Sequence, residues 1–299
     1  MYTKIVLFIA IILGFVFYNN SSESNITGKV VAITQIAPHP SLDRIRKGIE
    51  DEIASAFGDK VKIEFQSAQG NPALATQIAQ NFIGKKVDVV VAITTPSAQA
   101  IFSANTPKIP MVFAGVTDPV AAKLVEDNGK NKENVTGVSD APDIQKQVAL
   151  LQESLPKGST IGIIYNPGET NSHVHAERLE EALQAAGFLV IKTPAYSTGE
   201  VLQAAQGTVP NADALMLTND NTVISALDAV LQTAKQKGIP IFCSDPESVK
   251  RGCKGAIAPD QYEMGRRAGE MVVRILKGER GHHISVLNAP SNRFPLANS

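Results

Sequence analysis

The sequence predicts an α/β protein with two Rossmann-like, parallel-sheet lobes joined by a hinge. Short apolar runs rich in β-branched residues alternate with longer segments of helical periodicity, and this alternation starts a second time after residues 134–140. The chain has 299 residues, of which 43% are hydrophobic and 19% are charged, and this length suits two domains better than one. Continuous apolar strands between helices are typical of parallel sheets that are buried on both faces.

The first series of elements has the βαβ order of one lobe. Its predicted strands are the segments KVVAITQ, KVKIEFQ, VDVVVAI and IPMVFAG, at 29–35, 60–66, 87–93 and 109–115. Its predicted helices cover 42–57, 73–84 and 97–105. Each helix follows a strand and precedes another, as expected for crossover connections in a parallel sheet.

The second series repeats this order with different residues. Its predicted strands are TIGIIY, FLVIKT, ADALMLT and IPIFCS, at 160–165, 188–193, 212–218 and 239–244. Its predicted helices cover 144–155, 171–187, 198–208 and 221–238. Two similar sheets without a long polar linker indicate two lobes connected by short crossovers.

The crossovers are predicted near Ser139 and Pro259. The last helix, 261–278, then returns to the first lobe, and the following HHISVL segment closes on the second. This division assigns 28–139 and 259–283 to lobe 1, and 140–258 and 284–299 to lobe 2.

The first 25 residues have the pattern of a signal peptide or an N-terminal membrane anchor. Met1 to Lys4 precede an unbroken apolar run over 5–18, which a polar stretch follows. The pattern predicts export to the periplasm or another extracytoplasmic compartment. No small-x-small cleavage site stands out after Tyr18. The sequence therefore leaves two alternatives, a cleaved signal peptide and an uncleaved membrane tether.

The two cysteines, Cys243 and Cys253, lie close together in the second half of the chain. Disulfides persist outside the cytoplasm, so the two side chains can form one. Two buried free thiols fit the sequence equally well, because geometry decides and the sequence does not show it.

Composition and motifs argue against several classes of function. A net charge of -1 leaves no basic surplus for nucleic acid. The chain contains no G-x-S-x-G, G-x-x-x-x-G-K-[ST] or G-x-G-x-x-G motif, so neither an enzyme nor a cofactor is indicated. His173 and His175, two apart on a helix, point to different faces, and no metal site is predicted there; these histidines and the pair His282-His283 are expected to be solvated.

The candidate binding residues lie after the strands, at the carboxyl edges of both predicted sheets. Ligands of open parallel α/β sheets bind at this edge. Helix N-termini there can hold a carboxylate through free backbone N–H groups, and Asp118, Asp220 and Asp245 can accept hydrogen bonds from an ammonium group. The alternative for each loop is simple helix capping. The candidates are Gln35, His39, Ser41, Thr95, Ser97, Thr117, Asp118, Asn171, Ser172, Asp220, Asn221 and Asp245.

Eight ordered segments give the chain a resemblance to a known family. They are HPSLD (39–43), AQGN (68–71), TPSAQA (95–100), VTDPVAA (116–122), NVTGVSD (134–140), YNPGETNS (165–172), NDNTVISAL (219–227) and SDPESVKRG (244–252). With them the chain resembles the ABC-transporter substrate-binding proteins grouped with tryptophan and tyrosine uptake, which have the type I periplasmic-binding-protein fold. The resemblance covers nearly all of residues 30–279.

The resemblance implies that two lobes close around an aromatic or other hydrophobic amino acid and deliver it to ABC permease subunits in the membrane. A monomer without catalytic activity is expected. The family's binding positions carry over to Thr95, Ser97, Thr117, Asp118, Asn171, Ser172, Asp220 and Asp245. The lipoprotein cysteine common among relatives is missing, and Cys243 and Cys253 stand where small residues are usual. The alternatives are a ligand-sensing clamp that serves a receptor, and a different solute such as a sugar or nucleoside.

Overall fold

The computed structural model describes residues 26–105, 109–127 and 130–294. The predicted signal or anchor segment, 1–25, lies outside them. Among the described residues, none of the helices combines the length and the apolar character needed to cross a membrane.

Lobe 1 is built on a six-stranded sheet whose strands all run parallel. Its helices are α1 (Pro40–Phe57), α2 (Pro72–Gly84), α3 (Thr95–Ala104) and α10 (Gln261–Leu276). Its strands are β1 (Lys29–Gln35), β2 (Val61–Ser67), β3 (Val89–Ile93), β4 (Met111–Val116), β5 (Val135–Ser139) and β11 (Leu287–Asn288), in the spatial order β11-β5-β4-β3-β1-β2. Two apolar clusters, one on each face, bury β3 and β4 completely.

Lobe 2 has the same design, with one antiparallel strand at its edge. Its helices are α4 (Ile144–Ser154), α5 (Thr170–Ala185), α6 (Val201–Thr208), α7 (Asn221–Ser225), α8 (Leu227–Lys237) and α9 (Pro246–Arg251). Its strands are β6 (Thr160–Tyr165), β7 (Leu189–Pro194), β8 (Ala214–Leu217), β9 (Ile241–Cys243), β10 (Gly255–Pro259) and β12 (Ser291–Phe294), in the order β12-β10-β9-β8-β6-β7. The predicted fold class is confirmed.

Lobe 2 differs from the predicted elements in four details, one of which is the antiparallel edge strand β12, which was not predicted. The single helix predicted over 221–238 is two helices, because the backbone at Ala226 leaves the helical conformation. Helix α9 and strand β10 were not predicted. They are short, and the α9 sequence PESVKR carries a capping signal but too few turns for a periodic apolar face.

The chain passes between the lobes at 140–143, at 260 and at 289–290. The third passage corrects the predicted boundary at 284, since Leu287 pairs with Val138 of β5 and residues 284–288 therefore belong with lobe 1. The reason is a hydrogen bond from the Thr136 hydroxyl to the Ile284 carbonyl at 2.7 Å, which holds the segment beside β5. Pro259 instead pairs with Ser291 in the lobe 2 sheet.

Helices α1 and α10 pack closely enough to exclude a side chain at their contact. A Cβ atom on Gly265 would lie 2.1 Å from the Ile45 carbonyl oxygen, and one on Gly48 would lie 2.3 Å from the Tyr262 carbonyl oxygen. Both neighbours are backbone atoms, so they cannot rotate away. The two glycines therefore set the distance between the helices.

Replacing Gly265 with alanine is expected to lower the free energy of unfolding by about 2 kcal/mol, because overpacking forces the helices apart. Urea denaturation of the two proteins measures the difference. Gly207→Ala in α6 is the matched control, because a Cβ there meets no atom within 4 Å. That control should be neutral or slightly stabilising, since alanine favours the helix. Equal stability of wild type and Gly265→Ala would contradict the packing argument.

Candidate ligand site

A cavity of about 80 Å³ lies between the lobes, at the carboxyl ends of both sheets. Residues that follow β1, β3, β4 and β5 form its lobe 1 wall, and residues that follow β6, β8, β9 and β10 form the opposite wall. The topology thus brings loops from eight distant parts of the chain to one place, where ligands of such sheets bind.

Eight of the twelve predicted residues line this cavity. They are His39, Ser41, Thr95, Thr117, Asn171, Asp220, Asn221 and Asp245. The other four, Gln35, Ser97, Asp118 and Ser172, do not line it. Gln35 and Ser172 hold neighbouring loops instead: the Gln35 amide donates to the Ala37 carbonyl at 3.0 Å, and the Ser172 hydroxyl donates to Asp220 at 2.5 Å.

Asp118 has a different role from the predicted ammonium acceptor. One carboxylate oxygen accepts hydrogen bonds from the backbone N–H groups of Val120 and Ala121, and the other pairs with the Arg178 guanidinium. Arg178 belongs to α5 in lobe 2, so this ion pair joins the two lobes away from the cavity. The sequence placed Asp118 at the correct edge but did not show that a cation across the cleft would take its charge.

Asp220 lines the cavity, yet its oxygens are already engaged. They accept hydrogen bonds from the backbone N–H groups of Asn166 at 2.6 Å and Val223 at 2.8 Å, besides the Ser172 hydroxyl. Burial, reinforced by the charge of Glu169, raises its pKa to about 7. These contacts make Asp220 the N-cap of α7 and a brace for the β6–α5 loop, which is the capping alternative that the sequence left open.

Asp245 similarly caps α9 and also reaches across the cleft. Its carboxylate accepts hydrogen bonds from the Ser248 N–H at 2.8 Å and from the Ser41 hydroxyl of lobe 1. The His39 Nε2 atom lies 4.0 Å from the nearer Asp245 oxygen, beyond hydrogen-bond distance. Asp245 therefore forms a wall of the cavity and a contact between the lobes.

Asp140 is a cavity residue that sequence reasoning missed. It follows β5 at the first interlobe passage, and its carboxylate accepts hydrogen bonds from the Thr117 hydroxyl at 3.2 Å and the Asn219 amide at 3.0 Å. Among the described residues no lysine or arginine pairs with it. Burial raises its pKa to about 6. The sequence signal available was its place at the end of the NVTGVSD segment; the structure shows that β5, which ends just before it, is buried at every residue.

Five residues around the cavity each carry a buried polar side-chain atom that has no hydrogen-bond partner among the described residues. These atoms are His39 Nε2, Thr94 Oγ1, Thr95 Oγ1, Asn171 Oδ1 and Thr218 Oγ1. All five residues are less than 10% exposed. A buried polar group without a partner costs free energy, and such groups are rare in folded proteins. Their concentration on one cavity indicates a site that a polar ligand completes.

The N-terminus of α3 is the part of the lobe 1 wall of the cavity that most favours an anion. No side chain caps the helix, and its N-cap residue Thr94 has a φ of 78°, which is unusual for a β-branched residue. Strained backbone of this kind clusters at binding sites. The free N–H groups of the first turn, with the Thr94 and Thr95 hydroxyls, form a neutral site that favours an anion.

His175 corrects the expectation of solvated histidines. Its ring is fully buried, with Nε2 2.9 Å from the Gln147 side-chain oxygen and Nδ1 accepting a hydrogen bond from the Asn219 N–H at 3.0 Å. Burial, helped by the charge of Arg178, lowers its pKa to about 3. His173 is exposed, as the helical spacing required. Within the described residues no cluster of three or more metal-ligating side chains occurs.

The cysteines are both buried free thiols, so the disulfide alternative is not observed. They lie in the apolar core of lobe 2 beside α9. The Cys243 thiol donates to the Asp245 carbonyl at 3.2 Å, and burial, with the neighbouring Cys253 thiol, raises the pKa of Cys243.

The lobes touch across the cleft at several points besides the Asp118–Arg178 pair. The Asn219 amide of lobe 2 donates to the Thr117 hydroxyl of lobe 1 at 3.3 Å, and the Gln99 amide donates to the Thr170 hydroxyl at 3.2 Å. Fold and site together define a two-lobed binding protein whose lobes are in contact around an interlobe cavity.

The chain belongs to the family of ABC transporter substrate-binding proteins, whose profile matches residues 30–298. It is 36% identical over 269 residues to the tyrosine-binding protein of Clostridioides difficile, an alignment that covers 87% of this chain and 77% of that protein. It is also similar to a conserved domain protein of Vibrio cholerae, with 37% identity, a TM-score of 0.85 and coverage of 89% of this chain and 90% of the other.

Two further solved structures differ in whether a ligand is bound. An ABC domain from Streptococcus pneumoniae in complex with L-Trp has 32% identity and a TM-score of 0.85, and covers 89% of this chain and 90% of the other. The ligand-free, open structure of a substrate-binding protein from Clostridium difficile has 34% identity, 89% and 91% coverage, and a TM-score of 0.66.

Proposed function

We propose that this protein captures an α-amino acid with an aromatic or other hydrophobic side chain outside the cytoplasm and delivers it to an ABC permease without catalysing a reaction. The observation that carries the proposal is the ring of buried, unpartnered polar atoms around the interlobe cavity. Two similar proteins, one a tyrosine-binding protein and the other solved in complex with L-Trp, support the class of ligand.

The cavity offers a partner for each part of such a ligand. The N-terminus of α3, with the Thr94 and Thr95 hydroxyls, suits the carboxylate. Asp140 suits the ammonium group, because it is a cavity carboxylate that lacks a cationic partner among the described residues. The apolar side chains of Leu42, Ile45 and Ile224 are available to pack against the ligand side chain.

The proposed route through the cell follows from the N-terminal segment and the family. Residues 1–25 direct export, after which the protein is free in the periplasm or an equivalent compartment, or stays tethered by that segment. A monomer is sufficient, since both walls of the cavity come from one chain.

Calorimetry on protein freed of bound ligand is expected to show one tyrosine, phenylalanine, tryptophan or leucine bound per chain. D-glucose is the control ligand, because it lacks both the carboxylate and the ammonium group. Absence of heat with all four amino acids would contradict the proposal. Heat with glucose alone would replace the amino acid by a sugar.

A further inference from the structure

The imidazole of His39 has one ring nitrogen in use and one unused. Its Nδ1 atom accepts a hydrogen bond from the Ser41 backbone N–H at 3.3 Å, an N-cap interaction at the start of α1. Its Nε2 atom has no partner among the described residues, although the residue is only 8% exposed and lines the cavity.

The Ser41 contact fixes which nitrogen carries the proton. A backbone N–H only donates, so Nδ1 must present its lone pair and the proton of the neutral ring resides on Nε2. The neutral form is favoured because burial lowers the pKa of His39, despite the opposing charge of Asp245. The cavity therefore contains an N–H donor that needs an acceptor from the ligand.

The surroundings of His39 are those of a side-chain pocket. Ala37 precedes it, and Leu42 and Ile45 follow on the first turns of α1; all three line the cavity. Asp140 is three strand positions away in the order β5-β4-β3-β1, roughly 14 Å by the usual spacing of strands. The carboxylate site at α3 follows β3, between them. An amino acid bound at α3 and Asp140 thus extends its side chain toward His39.

We propose that the Nε2–H group of His39 donates a hydrogen bond to the phenolic oxygen of the ligand and makes the site selective for tyrosine. The inference rests on the amino-acid function proposed above. Phenylalanine leaves the donor unpaired, and the indole N–H of tryptophan is itself a donor and cannot accept. A site built to bond a hydroxyl discriminates against ligands that lack it.

The test compares tyrosine, phenylalanine and tryptophan on wild type and His39→Asn by calorimetry. Asparagine preserves N-cap chemistry at α1, but its shorter side chain does not reach the position of Nε2. Wild type should bind tyrosine about tenfold more tightly than phenylalanine, the effect of one buried hydrogen bond. In the variant, the tyrosine affinity should fall by about that factor while the phenylalanine affinity stays constant, which also shows that the variant is folded.

Three results would overturn the inference, and they differ in what they imply. An equal loss of affinity for all three ligands would place His39 at the carboxylate. Unchanged affinities for all three ligands in the variant would show that His39 does not contact the ligand. In both cases the amino-acid function stands, whereas failure of wild type to bind any of the three would remove that function together with the inference.

Discussion

Asp140→Asn is expected to weaken amino-acid binding at neutral pH by about 100-fold or more. The substitution keeps the shape of the side chain and an oxygen that can accept from Thr117 or Asn219, but removes the charge that pairs with the ligand ammonium. Loss of one partner of a buried, hydrogen-bonded charge pair costs about 2–5 kcal/mol. Calorimetric titration with the tightest-binding amino acid measures the change in affinity.

Asp143→Asn is the matched control for this experiment. Asp143 lies three residues away, carries the same charge and caps α4 by accepting from the Lys146 N–H at 3.1 Å, but it does not line the cavity. Asparagine caps helices about as well as aspartate, so the control should bind like wild type. Equal affinities of Asp140→Asn and Asp143→Asn would exclude Asp140 as the ammonium site.

The parts of the fold that could be predicted are those with strong periodicity. Strands such as Val89–Ile93 are continuous apolar runs, and they were located to within two residues. The short elements could not be predicted in this way, since Pro246–Arg251 and Gly255–Pro259 have no room for a distinct period. The return of Leu287 to lobe 1 depends on long-range pairing with β5, which local sequence does not encode.

For the candidate site, the sequence located the correct edge of each sheet but did not distinguish free groups from engaged ones. Asp118, Asp220 and Asp245 read alike, as aspartates after strands. Their contacts differ, because Arg178 pairs with the first and helix N-termini take up the other two. Asp140 has no helix-capping pattern directly after it, because Asp143 caps the next helix, and so the sequence did not predict it as a site residue. Which carboxylate stays available is a property of three-dimensional contacts and not of spacing.

The hydrogen bonds of Asn219 explain how closure of the lobes is connected with binding of the ligand. Asn219 donates to Asp140 and Thr117, while its own backbone N–H is fixed by His175. The residue that joins lobe 2 to lobe 1 thus contacts the proposed ammonium site directly. Movement of the lobes apart would break these hydrogen bonds and separate the two walls that hold the ligand.

The affinity for the amino acid is expected to fall with pH below about 6 and to stay nearly constant above it. The pKa of Asp140 is raised to about 6 in the free protein by burial. An ammonium ligand binds the ionised carboxylate. Below that pH the ionised fraction of Asp140 falls about tenfold for each pH unit, and the affinity falls by about the same factor. Titrations between about pH 4.5 and 8 measure the profile.

Stability of the free protein should change in the opposite direction. A carboxyl group with a pKa of 3.8 when unfolded and about 6 when folded binds more protons in the folded state between these values, so its contribution to stability is lost as the pH rises through that window. Asp220 contributes with the same sign up to about pH 7, since its pKa is also raised. Asp220 is present in both wild type and Asp140→Asn, so the difference between their free energies of unfolding across this pH range, measured by urea denaturation, reports Asp140 alone. An Asp140→Asn protein whose affinity still fell tenfold per unit below pH 6 would show that another group controls the profile.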